Sequence, residues 1–237
     1  WSSDVCSSDL NLNLQLLPGE FTCLLGPNGS GKSTLIRTFA GFHPLLEGNI
    51  YLDNQDIKSF REKDLARLIS VVLTDHANVG NMTIFELVSM GRHPYTGFFG
   101  RLTQTDLKKI YYAIEAVGLL SMKNRLVNQL SDGERQKAMI AKALAQETPI
   151  ILLDEPTAYL DLPSRIEIMQ LLHKLSTETS KAILLSTHDL EQAVRFADKI
   201  WLLGKNENFR SGMPEDLILS NEFKHFFERK GIRFDNH

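Results

Sequence analysis

Cysteine is nearly missing from this sequence, with two residues among 237, Cys6 and Cys23. A disulfide framework is therefore not expected. Cys23, inside the apolar run FTCLL, reads as a buried free thiol in a protein kept in a reducing, cytoplasmic compartment. Long hydrophobic runs are missing too. No apolar stretch approaches the roughly 18 residues that a membrane span needs, so any work at a membrane has to be done through a partner. Nor is there a surplus of positive charge, since 26 Lys and Arg face 29 Asp and Glu. Without a basic block to neutralise phosphates, nucleic acid is not an expected partner. What is present, 43% hydrophobic and 23% charged residues, suffices for a full core in one large domain, or in one domain with an inserted subdomain.

The first ten residues, WSSDVCSSDL, stand apart from the rest. They are mostly serine and aspartate with no apolar period of two or 3.6, which predicts neither strand nor helix. The stretch looks like the in-frame translation of a sequencing adapter, so residues 1–10 are taken as an assembly scar and the native sequence as starting at Asn11. Setting aside Asp4 and Asp9 leaves 26 basic residues against 27 acidic ones. The terminal GIRFDNH stops abruptly and reads as a truncated end.

From there on, short apolar runs alternate with helical patterns: FTCLL (21–25), a helix from Lys32, LISVVL (68–73), PIILLD (149–154), KAILLST (181–187) and KIWLLG (199–204). Nearly continuous apolar strands separated by helices imply a parallel sheet covered on both faces, an α/β core. Residues from about 75 to 146 break the rhythm and predict an inserted helical subdomain. Its clearest helix has Thr103 as N-cap and Leu107, Ile110, Ile114 and Val117 at helical spacing. GNIYLDNQDI (48–57) alternates and ends in turn residues, as a small antiparallel sheet would.

Three motifs carry chemistry. Gly26-Pro27-Asn28-Gly29-Ser30-Gly31-Lys32-Ser33 satisfies G-x-x-x-x-G-K-[ST] between a strand and a helix that continues with Thr34. Glycines there let successive N–H groups wrap phosphates, Lys32 reaches the β- and γ-phosphates, and the Ser33 hydroxyl ligates magnesium. In IILLDEP an apolar strand delivers Asp154, a magnesium ligand through water, and Glu155, a candidate general base. LSDGERQKAMIAKALAQ opens with Ser131 and Glu134 in a capping box, and a helix start presenting Ser131 and Gly133 is also an anion site.

Taken together, these motifs resemble the ATP-binding subunit of an ABC transporter over Asn11 to Phe227. The resemblance implies a P-loop ATPase fold and a head-to-tail homodimer. In it Leu130-Ser131-Asp132-Gly133-Glu134, the counterpart of the family's LSGGQ, reaches ATP held by the second copy. It further implies that Tyr159-Leu160-Asp161 crosses the dimer interface and that His188 is the switch histidine at the γ-phosphate. ATP and magnesium are the implied cofactors, and an integral-membrane permease is the implied partner, served indirectly by an external substrate-binding protein. Location would be the cytoplasmic face of the membrane. ELVSMGRHPYTGFFGRLTQTD (86–106) resembles the segment found in ATPases of iron-siderophore, haem and cobalamin importers. Its Tyr95, Phe98 and Phe99 are expected to form an exposed docking face. A soluble ABC ATPase acting on ribosomes or DNA would tend to carry a second cassette or a long coiled coil, and a GTPase switch would carry N-K-x-D. None of these is found in the sequence.

Three departures from the family pattern stand out. Residues 1–10 replace the segment that supplies a first strand and an adenine-stacking aromatic, so an exposed sheet edge and weaker ATP binding are expected, base stacking being worth roughly 1–3 kcal/mol. Asp132 replaces a glycine and is expected to turn back onto its own helix start, where a carboxylate is favoured, in an enzyme that works slowly. Thr74 occupies the place of a glutamine that contacts magnesium and the attacking water, and its shorter side chain acts only through an intervening water. Thr74→Gln is therefore expected to raise steady-state ATP hydrolysis, and an unchanged rate would remove Thr74 from the metal site.

Overall fold

The computed structural model describes residues 2–7, 10–73, 80–97, 100–204 and 209–223, with side chains from Leu12 onward. Two sheets organise them. The elements run β1 (Ser2–Ser7), β2 (Leu10–Gln15), β3 (Phe21–Leu25), α1 (Lys32–Phe39), β4 (Glu47–Leu52), β5 (Gln55–Asp56), α2 (Glu62–Leu65) and β6 (Ile69–Val72). Three helices follow, α3 (Ile84–Ser89), α4 (Gln104–Ala116) and α5 (Asp132–Ala145), before β7 (Ile150–Asp154), α6 (Leu162–Thr179), β8 (Ala182–Thr187), α7 (Leu190–Phe196), β9 (Lys199–Leu203), β10 (Phe209–Gly212) and α8 (Pro214–Leu219). The larger sheet has the order β10-β9-β3-β8-β7-β6, parallel except for the β9–β10 hairpin. The smaller, antiparallel sheet has the order β2-β1-β4-β5. Among the described residues, no helix is long and apolar enough to cross a membrane.

One expectation is overturned at the start of the chain. Ser2–Ser7 form a strand, and it is an inner one, pairing Ser2 with Gln15 on one side and Ser2 with Tyr51 on the other. The apolar period is a poor guide to such a strand, because ladder hydrogen bonds join backbone groups whatever the side chains are. The edge expected to lie open between β2 and β4 is filled by β1. Trp1 lies outside the described residues.

Alternation along the parallel strands sorts the core into two layers. Cys23, Leu25, Ile151, Leu153, Ile183 and Leu185 face one way, into a cluster shared with α3 to α7. Leu24, Ile150, Leu152, Ala182 and Leu184 face the other way, against Ile36 and Phe39 of α1 and Leu12, Leu14 and Ile50 of the small sheet. The period of two puts each alternate residue on the same face, so Asp154 and Ser186 continue the α1-facing rows at their strand ends. Burial pushes the Cys23 thiol far up, so it stays an unreactive core residue.

The helices between β6 and β7 are started by one repeated device. Thr83, Thr103 and Ser131 each form a capping box with Glu86, Asp106 and Glu134. Arg92 then ties this layer to the core. Its buried guanidinium donates to Asp106 Oδ1 at 2.8 Å, to the Ala145 carbonyl at 2.8 Å and to Glu147 Oε2 at 2.9 Å. Tyr95 is half-buried beneath the guanidinium groups of Arg92, 4.1 Å from its ring centroid, and Arg67, 5.2 Å away. Expected as a docking aromatic, Tyr95 is engaged in local packing; Phe98 and Phe99 lie outside the described residues.

Asp106 is buried, which by itself disfavours its charge, yet the Thr103 hydroxyl and N–H and the Arg92 guanidinium outweigh that and hold its carboxyl below the ordinary 3.8. A depressed carboxylate stabilises the fold fully above its ordinary value and loses that contribution as pH falls through the lowered one. The thermal midpoint is thus expected to fall with acidification from roughly pH 5 down through the lowered value. Asp106→Asn should melt lower than the parent at neutral pH and show a shallower acid slope. Parallel melting curves across that range would contradict the assignment.

Candidate functional site

In-register pairing brings three strand ends to one edge. Leu25 of β3 stands beside Thr187 of β8, and Asp154 of β7 beside Ser186. The loop after β3, Asp154-Glu155 after β7 and His188 after β8 therefore emerge together at the carboxyl edge of the sheet, where open α/β sheets bind ligands.

The loop from Gly26 to Ser33 is shaped by backbone needs. Gly29 and Gly31 adopt φ +79° and +94°, with open space where a side chain would start. A Cβ on Gly26 would come within 2.3 Å of the Leu203 carbonyl oxygen. Ser30 N–H donates to the Pro27 carbonyl at 3.2 Å, closing a turn whose Asn28 is exposed. Gly31 caps α1 without any side-chain bond to the helix N–H groups, and no acidic residue occupies the first turn, where Thr34 is exposed. Such a helix start favours an anion.

Charge and hydroxyls converge behind this loop. Buried Lys32 donates through Nζ to the carbonyls of Gly26 at 2.8 Å and Pro27 at 3.3 Å, and lies 3.5 Å from Glu155 Oε1. Asp154, also buried, accepts through Oδ1 from Ser33 Oγ at 3.0 Å and from Ser186 Oγ at 2.7 Å. Glu155 sits at φ +43°, a left-handed conformation uncommon for a residue with a side chain. Its N–H donates to the Ser186 carbonyl at 3.1 Å and to Ser186 Oγ at 2.9 Å. On its far side, Glu155 Oε2 is 3.5 Å from His188 Nδ1.

These residues fit a nucleoside triphosphate with magnesium. Ser30 Oγ is buried with no hydrogen-bond partner among the described residues, within a loop whose glycines leave room for one. Ser33 and Asp154 offer a hydroxyl and a carboxylate close together, the hard oxygen donors magnesium takes while keeping most of its waters.

A second grouping gathers at the starts of α5 and α6. Ser131 Oγ accepts from Glu134 N–H at 3.3 Å, while Glu134 Oε2 accepts from Ser131 N–H at 2.9 Å. A Cβ on Gly133 would meet Ser164 Oγ at 3.1 Å, so the start of α5 packs directly on α6. Asp161 caps α6 by accepting from Ser164 N–H at 3.2 Å, bonds that hold its carboxyl below its ordinary value. Exposed Tyr159, at φ +65°, precedes it. Asp132 is the first residue of α5 and bonds Arg135 one turn along at 3.3 Å. Of the predicted site, Thr74 alone lies outside the described residues.

Sequence reasoning passed over two residues. Ser186 was signalled only as a polar residue near the end of an apolar strand, and its neighbours depend on register. Arg165 braces the loop before α6, donating through Nε to the Leu160 carbonyl at 2.8 Å and lying 3.7 Å from Asp189 beside His188.

Comparison with known proteins agrees with this geometry. The family model described as ABC transporter matches residues 10–158. The chain belongs to the ABC transporter family. It is 43% identical to an uncharacterized ABC transporter ATP-binding protein of Methanocaldococcus jannaschii over 94% of this chain and 77% of that protein. It is 37% identical to the iron(3+)-hydroxamate import ATP-binding protein FhuC of Bacillus subtilis strain 168, over 92% and 81%. Among solved structures it resembles the dimeric bacterial ABC transporter cassette MJ0796, with a TM-score of 0.73 and 31% identity over 90% of this chain and 95% of that one. The chain is an ATP-binding subunit of that family, with its ATPase activity and the fold that the sequence predicted.

Since β9 backbone closes over Gly26, Gly26→Ala must displace either the loop or the strand. A loss of about 1–3 kcal/mol in stability is expected from such overpacking, together with weaker ATP binding. Thermal denaturation and equilibrium nucleotide binding check both, and a variant unchanged in each would show that the loop tolerates the shift.

Proposed function

We propose that this chain is the ATP-hydrolysing subunit of an ABC importer, working as a head-to-tail pair against a membrane permease on the cytoplasmic face. The observation that carries this reading is the convergence of Lys32, Ser33, Asp154, Glu155 and His188 at one sheet edge. The glycine loop and the start of α1 bind the triphosphate of ATP, with Gly26 to Thr34 wrapping it and Lys32 compensating the γ-phosphoryl charge. Ser33 and Asp154 would hold magnesium, which neutralises charge developing on the phosphates when bound. Thr74 joins them through water.

Glu155 acts as general base. It takes a proton from the attacking water as the new phosphorus–oxygen bond forms and the bond to ADP breaks, so inorganic phosphate and ADP leave. His188, already against the Glu155 carboxylate, orients it and contacts the γ-phosphate. Ser131 and Gly133 of one copy complete the site of the other, and Asp161 lies across the interface between them. The dimeric cassette among the similar structures supports that pairing. The cargo is an iron chelate of siderophore type, a reading supported by the iron(3+)-hydroxamate relative and by residues 86–106. An external binding protein delivers it to the permease.

Glu155→Gln keeps the shape of the side chain and removes its basicity. ATP binding should persist, hydrolysis should fall by roughly 100-fold or more, and a nucleotide-locked dimer should accumulate on size exclusion. Turnover at the parental rate would show that another group accepts the proton.

A further inference from the structure

The geometry points to Ser186 as a positioning residue for ATP hydrolysis, its hydroxyl holding the magnesium ligand Asp154 and the base Glu155 in fixed relation to each other. The inference rests on the reading of Asp154 and Glu155 given above. It starts from a single fully buried oxygen that faces both groups at once. Ser186 Oγ donates to Asp154 Oδ1 at 2.7 Å and accepts from the Glu155 N–H at 2.9 Å. The two carboxylates are consecutive in sequence, Asp154 as the last residue of β7 and Glu155 in a left-handed conformation just after it.

A purely structural role does not account for this hydroxyl. Were it removed, Asp154 Oδ1 would still accept from Ser33 Oγ and Glu155 N–H would still donate to the Ser186 carbonyl. Neither buried group would be orphaned, so the usual penalty for an unpaired polar atom does not arise. What the hydroxyl adds is direction. Ser33 lies on α1, which continues directly from the phosphate loop, whereas Ser186 lies on β8, paired in register with β7. The strand-borne hydroxyl therefore sets the Asp154 carboxylate independently of α1, and the same atom steadies the left-handed backbone at Glu155.

The strand also explains why serine stands there rather than the alanine or leucine that precede it in its row. Ser186 continues the α1-facing row of Ala182 and Leu184, and an apolar side chain would be readily buried in that row. A hydroxyl is harder to bury and so must be held by its partners.

Ser186→Thr and Ser186→Val decide the matter, being alike in volume and branching and differing only in the hydroxyl. Ser186→Thr should keep kcat within about twofold of the parent, while Ser186→Val should lose about tenfold in kcat with the KM for ATP changed less than about twofold. Ser186→Val should also need several-fold more free magnesium for half-maximal rate. A measurement without turnover runs beside these: binding of a fluorescent ATP analogue with and without magnesium. Metal-free affinity should match the parent in both variants, whereas the gain in affinity on adding magnesium should shrink in Ser186→Val alone. Parental kcat and magnesium response in Ser186→Val overturn the proposal. So does an equal loss in both variants, which would follow bulk rather than hydrogen bonding. Glu155→Gln measured in parallel separates the two levels. A fast Glu155→Gln enzyme removes the general-base reading while the magnesium-dependent binding still judges the Ser186–Asp154 arm; a slow one beside an unaltered Ser186→Val removes only the role of Ser186.

Discussion

A buried carboxylate governs this structure. Asp154 is taken out of water at the end of an apolar strand, and such a charge is tolerated only where donors compensate it. Hydroxyls from α1 and from β8 both donate to one of its oxygens. That requirement ties the helix after the phosphate loop to two strands of the sheet. The same strand ends present Glu155 and His188, so the compensation of Asp154 and the gathering of these side chains at one edge are one arrangement.

The small sheet and the helical layer relate to that centre in different ways. Leu12, Leu14 and Ile50 of the small sheet pack into the layer that includes α1, and so support the face on which the nucleotide loop rests. The helical layer instead positions Ser131 and Gly133 at the start of α5, while Arg92 grips the Ala145 carbonyl at its end. The helix α5 thus runs from the junction near Tyr95 to Ser131 and Gly133.

Much of this was legible because its signals are local. The phosphate loop needs glycine at positions with φ beyond +75°, and Gly29 and Gly31 announce that in the sequence. Capping boxes at Thr103 and Ser131 follow from residues three apart. Buried parallel strands reveal themselves as apolar runs, and five such runs became β3, β6, β7, β8 and β9. Legibility failed where side chains carry little of the information. Ser2–Ser7 pair in the backbone ladder of two neighbours, which their polar composition hid. Tyr95 read as a surface aromatic because the arginines that flank it, Arg67 and Arg92, are held over it by separate elements.

The sequence by itself determined which residue types stand where such chemistry is possible: glycines and a lysine suited to phosphate, a hydroxyl and a carboxylate suited to a divalent ion, and a carboxylate suited to a proton, since these follow from residue type and near-neighbour spacing. Only the tertiary structure decided their mutual placement. Asp154 and Ser186 are 32 residues apart in the chain and become neighbours through strand register, and Arg165 reaches Asp189 through the packing of α6 on α7. Register and helix packing depend on the burial of many residues at once, which no short stretch of sequence encodes alone.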